Sequence, residues 1–146
     1  MAEPQYQCLL SRVEQGVLVL TITKAQLEGD EVAALLRQEM DDVTNRSNTN
    51  RVVVDFQHTT YISSVAFWPL LSLWSKIKAA DGRLILCGLS PMVGDVFYTT
   101  RLVSPDVSVQ APFQVEEDVE AAIAKMNSPV PEGKTSSAGA AENLPG

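Results

Sequence analysis

The chain has 146 residues, 45% of them apolar and 20% charged, with a net charge of −7 and a pI near 4.6. That length suits one ordinary domain, and the apolar share is enough for a core. The acidic balance excludes a nucleic-acid binder, which needs a basic face for phosphates, and a domain docked on an anionic membrane surface. The opening MAEPQYQ is polar and slightly acidic, unlike a secretion signal. The most apolar stretches, VLVLTI and AFWPLLSLW, are far too short to span a bilayer, so a cytoplasmic protein is expected. Cys8 and Cys87 lie inside strand-like runs and read as reduced core thiols.

Two apolar runs come first, YQCLL and VLVLTIT, separated by Glu14-Gln15-Gly16; their aliphatic and β-branched density predicts a hairpin. After Gly29 the period changes. Val32, Leu35, Leu36, Met40 and Val43 recur at steps of three and four, which is one face of an amphipathic helix. Asp30 is its expected N-cap, and Glu31 adds a second acid at the positive end of the dipole. The polar run Asn45–Asn50 ends it. Arg51–Phe56 is apolar on both faces, as a central strand between helices should be. Gln57–Ile62 reads as a loop. Phe67, Leu70, Leu71, Trp74 and Ile77 form the face of a second helix, closed at Asp81-Gly82 with the glycine in the left-handed conformation. Leu84–Cys87 is a buried strand. Ser90-Pro91 pairs an N-cap serine with a proline at the first helical position, opening a helix with Met92, Val93, Val96 and Phe97 inward. Val107-Ser108-Val109 suggests a short strand. Val115, Val119, Ala122, Ile123 and Met126 give the stripe of a last helix, with Glu116, Glu117 and Asp118 in its first turn. From Asn127 the composition turns to Ser, Pro, Gly and Ala, so the domain is placed at 1–126 and a disordered tail at 127–146. A hairpin followed by alternating helices and strands predicts a single α/β domain, a mixed central sheet of about four to five strands flanked by about four helices.

Enzymatic constellations are lacking in this sequence. His58, the one histidine, lies in a loop and reads as an exposed imidazole. No Cys, His or Asp cluster has metal-ligand spacing, and no glycine-rich phosphate cradle occurs. Asp41, Asp42, Glu116, Glu117 and Asp118 sit at helix ends, where acids are solvated or serve the dipole. The expectation is a non-enzymatic protein with no catalytic residue, no metal and no cofactor.

The run VVVDFQHTTYISSVAF, followed by KIKAADGRLILCGLSP, resembles the core of STAS domains, typified by bacterial anti-sigma-factor antagonists. Asp55 matches the acid that ends the family's central strand, and Tyr61-Ile62 the aromatic–aliphatic pair that follows. Asp81-Gly82 matches the turn, Ser90-Pro91 the helix cap and Leu102 the closing leucine. The resemblance is tight over the middle third and looser over about residues 5–126. The chain departs from the family pattern at Ser63, where the family has aspartate, at Val65-Ala66, where it has Ser-Gly, and at Arg101, where it has glycine.

The resemblance implies a STAS-like fold and a phosphoacceptor at the start of the second helix. That residue is Ser64, with Ser63 the second choice and an unmodified helix cap the remaining reading. It implies protein partners, an anti-sigma factor acting as a switch serine kinase, with no nucleic acid and no membrane insertion; a homodimer is compatible with it. Asp55, Ser63, Ser64 and Trp68 are the expected partner-binding residues. Trp68 falls beside the apolar stripe, either as an anchor for the partner or packed under the loop. If Ser64 caps the helix, Pro69 occupies the fifth helical position and predicts a kink or a later start. A phosphoryl group adds roughly −1.5 to −2 charges, which a helix N-terminus tolerates and a closely packed partner does not. The alternative is a constitutive STAS scaffold or accessory subunit of a signalling or transport complex, not phosphorylated.

Overall fold

In a computed structural model, which describes residues 6–100 and 113–128, the two opening apolar runs form an antiparallel hairpin of β1 (Leu9–Glu14) and β2 (Val17–Ile22). Gln15 and Gly16 turn between them with φ of 54° and 78°. Two positive φ values in a two-residue loop match the right-handed twist of the strands. There follow β3 (Gln26–Leu27), α1 (Asp30–Ser47), β4 (Arg51–Asp55), β5 (Tyr61–Ile62), a 3-10 turn (Ser64–Ala66) and α2 (Phe67–Ala79). The remaining elements are β6 (Arg83–Cys87), α3 (Pro91–Thr99), β7 (Gln114–Glu116) and α4 (Val119–Asn127). The main sheet has five strands in the order β1-β2-β4-β6-β7, with only β1 antiparallel, and β3 pairs with β5 in a separate parallel ladder. This is the expected α/β domain with a mixed sheet.

Alternation along the strands sorts the interior into two layers. Leu18, Leu20, Ile22, Val52, Val54, Leu84 and Leu86 face α1, α2 and α3. Val17, Val19, Val53, Ile85 and Cys87 face α4 through Ala122, Ile123 and Met126. Parallel strands must be joined by crossovers, so α1, α2 and α3 all begin at the carboxyl edge of the sheet.

Several local expectations are corrected. Asp30 is the first residue of α1 and not its cap; Gly29 precedes the helix at φ 90°, and no side chain caps it. Glu39 lies in the buried stripe, where its two carboxylate oxygens accept the Gln7 and Cys8 amides at 2.8 Å each, tying α1 to the chain entering β1. Asp81, with φ 59°, takes the left-handed turn expected of Gly82. Gly82 is small for another reason: a Cβ there would collide with the Asn50 backbone carbonyl. Leu73 joins Phe67, Leu70 and Ile77 in the buried face of α2, while Leu71 and Trp74 are half-buried. Met92 is 60% exposed, and Gly94 packs inward in α3 instead. Val115 belongs to β7, and Asp118 is the N-cap of α4, accepting the Ala121 amide at 2.8 Å. α4 extends through Asn127, whose side chain bonds Arg51 and donates to the Gln15 carbonyl at 3.4 Å. The expected strand at Val107–Val109, Leu102 and residues 129–146 lie outside the described residues.

Tyr6 fastens the same end of the chain by donating its hydroxyl to Asp42 Oδ2 at 2.7 Å, and Asp42 also accepts from Arg46 Nε at 2.9 Å. Burial first, then the hydrogen bond to Asp42 and its charge, push the phenol up to about 12 from 10.0. A group raised on folding contributes stability in full below its unfolded value and loses it as pH rises through the folded value. The gap in melting temperature between wild type and Tyr6→Phe should therefore be constant from neutral pH up to 10 and narrow between pH 10 and 12. It should also narrow in acid, because the Tyr6 hydrogen bond holds the Asp42 carboxyl below its ordinary range. A gap unchanged between pH 10 and 12 would mean that folding does not hold the phenol in its protonated form.

Candidate functional site

The site is built outward from Asp55, the last residue of β4. In-register pairing sets Thr21, Asp55 and Cys87 side by side at the carboxyl ends of β2, β4 and β6. Asp55 is 1% exposed. A buried carboxylate needs donors, and Gln57 supplies two, its amide N–H at 3.1 Å and its side-chain Nε2 at 2.5 Å. The Cys87 thiol stands beside Asp55 on the neighbouring strand. Burial foremost, then the charge and hydrogen bond of Asp55, push that thiol far above its ordinary range. The next residue, Gly88, has φ 70°, and a Cβ there would stand 2.5 Å from Asp55 Oδ1. The carboxylate thus fixes how the chain leaves β4, from beneath the surface.

The following residues are strapped to the segment before α1. Thr59 Oγ1 donates to the Lys24 carbonyl at 2.9 Å, and the Thr60 amide to the Ala25 carbonyl at 2.8 Å. Tyr61 and Ile62 then pair with Gln26 and Leu27, and the Ser63 amide donates to the Leu27 carbonyl at 2.9 Å. The stretch expected to be a loop therefore ends in a short strand that delivers Ser63 and Ser64 to a fixed place.

The two serines differ. Ser63 is half-buried, and its hydroxyl oxygen is fully enclosed with no hydrogen-bond partner among the described residues. Its carbonyl accepts the Ala66 amide at 3.0 Å. Ser64 is exposed and opens the 3-10 turn, so it does not cap α2 as expected. The α-helix begins three residues later, at Phe67. Pro69 then occupies the third helical position, where an amide has no intrahelical acceptor and its loss costs little. The later start that the proline predicted is the outcome.

Phe67 turns inward onto Phe97, with ring centroids 5.1 Å apart. Trp68 turns outward, 56% exposed, and the Arg37 guanidinium carbon of α1 lies 5.1 Å from its ring centroid. Tyr61 is 41% exposed nearby on β5. Ser63, Ser64 and Trp68 are thus brought together on one short stretch. Asp55, expected among the partner-binding residues, lies beneath them with no surface of its own. Arg37 was missed, since nothing in its spacing within α1 marks it; only helix packing brings it to Trp68. Among the described residues no group of His, Cys, Asp and Glu could hold a metal, and no helix is long and apolar enough to cross a membrane.

Removing the Asp55 carboxylate leaves the Gln57 amide and side chain without their acceptor. Asp55→Ala should lower the unfolding free energy by about 1–3 kcal/mol in urea titrations. Unchanged stability would show that the carboxylate does not hold the loop.

The profile of the STAS domain family matches residues 10–122. Among solved structures, the fold is similar to TM1081 of Thermotoga maritima, with a TM-score of 0.69 at 14% identity over 82% of this chain and 95% of that one. An anti-sigma factor antagonist from Mycobacterium paratuberculosis gives 0.67 at 18% identity, over 82% and 93% of the two chains. The phosphorylated form of the Bacillus cell fate determinant SpoIIAA gives 0.57 at 17% identity, over 80% and 97%. No curated protein sequence matches. With the family profile covering most of its length and a shared fold, the chain belongs to the STAS domain family.

Proposed function

We propose that this domain is a protein-binding regulatory module of the anti-sigma-factor antagonist kind. In this reading its docking face centres on Ser64 and Trp68, and phosphorylation of Ser64 switches it. The observation that carries the reading is the pairing of an exposed serine at the start of the 3-10 turn with an exposed indole one turn later. A kinase must reach the hydroxyl, which supports Ser64 over the enclosed Ser63 oxygen. A half-exposed indole is the kind of group that anchors a protein interface. The similar SpoIIAA is a protein solved in both phosphorylated and unphosphorylated forms.

The partner in this reading is a cytoplasmic anti-sigma factor that is also a serine kinase. The domain itself is taken as non-catalytic. Cys8 and Cys87 are buried thiols whose ionisation is opposed by burial and by the charges of Glu39 and Asp55, and His58 stands in an exposed loop. The 3-10 turn should tolerate the phosphate, because the Ser64 side chain is exposed and bonds nothing among the described residues. A partner packed over the same spot would meet a dianion. The competing reading, an unphosphorylated STAS scaffold or accessory subunit, draws on one feature: Ser63 stands where the family has an acid before its acceptor.

Ser64→Asp and Ser64→Glu should fold as wild type and lose about 1–3 kcal/mol of affinity for the anti-sigma factor encoded in the same genome, measured by calorimetry. Ser64→Ala should bind as well as wild type. Its melting temperature should also match, because Ser64 supplies no side-chain cap; a capping serine would cost about 1 kcal/mol on removal. Equal binding by all three variants, with no kinase labelling of Ser63 or Ser64, would leave the scaffold reading standing.

A further inference from the structure

Of the four basic side chains on α1 and α2, Arg46 and Lys76 have acidic partners, whereas Arg37 and Lys78, the latter in the last turn of α2, have none among the described residues. Arg46 pairs with Asp42 at 2.9 Å, and Lys76 with Asp41 at 2.6 Å. Arg37, exposed on α1, has neither a salt bridge nor a hydrogen bond among the described residues; its guanidinium lies over the Trp68 ring. α1 packs against both the 3-10 turn and α2, and Arg37 shares a cleft with Pro69. An uncommitted guanidinium therefore lies over the ring of Trp68, the residue one turn after the hydroxyl proposed to receive a dianion, on a helix that packs against the 3-10 turn holding that hydroxyl.

We propose that Arg37 is the receiver of the phosphoryl group on Ser64. With Ser64 bare, the guanidinium lies over the indole, and the docking face is a cation above an aromatic ring. That face suits a partner offering an apolar pocket for Trp68 rimmed by a carboxylate for Arg37. On modification the terminal phosphoryl of a nucleoside triphosphate passes to Ser64 Oγ, the hydroxyl proton is released and the nucleoside diphosphate leaves. An exposed cation–π contact is weak beside a bidentate guanidinium–phosphate pair, so Arg37 leaves the ring for the phosphate. The partner then loses the cation its carboxylate met, in addition to facing the phosphate. Phosphorylation in this account rearranges the face as well as charging it.

The inference rests on the Ser64 reading, and its test is arranged so that the two fail separately. Phosphoserine is incorporated at position 64 during translation, so that no kinase is needed, and the phosphate is titrated by phosphorus NMR in the full chain with Arg37 and with Arg37→Gln. The second ionisation should lie lower by about half a pH unit when Arg37 is present. In the unsubstituted background the Arg37 Nε–H resonance, shifted by the ring when Ser64 is bare, should move away from that position when position 64 carries phosphate. An identical titration in the two proteins, or an Arg37 resonance that stays where the indole holds it, overturns the proposal. Whether a kinase labels Ser64 is a separate measurement that tests only the underlying reading.

Discussion

The site depends on β2, β4 and β6 running parallel and in register. That pairing sets Thr21, Asp55 and Cys87 abreast at one edge and obliges each strand to continue through a helix that starts there. Asp55 is then a carboxylate buried among mostly apolar neighbours, and it is tolerable because Gln57 turns two donors toward it. Gly88 must lack a side chain for the same reason. The direction in which the chain leaves β4 follows from these contacts, and so does the position at which it meets Ala25 and Leu27.

The surface above that edge is made of what the core does not take. In α2 the inward positions are filled by Phe67, Leu70, Leu73 and Ile77, and Phe67 is locked against Phe97. A residue next to an inward position on a helix points sideways or out, and Trp68 is that residue. Its exposed ring leaves apolar area in water that a partner surface would remove, a gain proportional to the area covered. The strap of β3 and β5 holds this stretch by backbone hydrogen bonds, leaving the side chains of Tyr61 and Ser64 outside.

Much of the fold is legible in the sequence because its strands are apolar on both faces and its first helix repeats at three and four. Val52–Val54 and Leu84–Leu86 announce themselves in this way, and Ser90-Pro91 marks a helix start by local chemistry alone, Ser90 accepting the Val93 amide at 3.2 Å. Short non-local pairings are not legible. β3 and β5 contribute two residues each, and their partners lie 35 positions apart, so no local pattern marks them. Val115 fits a helical stripe as well as a strand, and its neighbour β6 decides for the strand. Glu39 looks like a solvated acid until the chain before β1 supplies two amides to it. Of the candidate site, Ser64 and Trp68 are visible in sequence, whereas the burial of Asp55 and the approach of Arg37 are products of packing between elements distant in the chain.

Hydrogen–deuterium exchange on the domain, alone and with the anti-sigma factor encoded in the same genome, tests the central claim that the stretch from Tyr61 to Trp68 is the docking face. The account predicts that partner binding slows exchange in peptides covering that stretch, leaves α4 and the β1 edge unchanged, and that phosphate on Ser64 abolishes the protection. Slowed exchange confined to α4 or β1, with Tyr61–Trp68 unaffected, would contradict it.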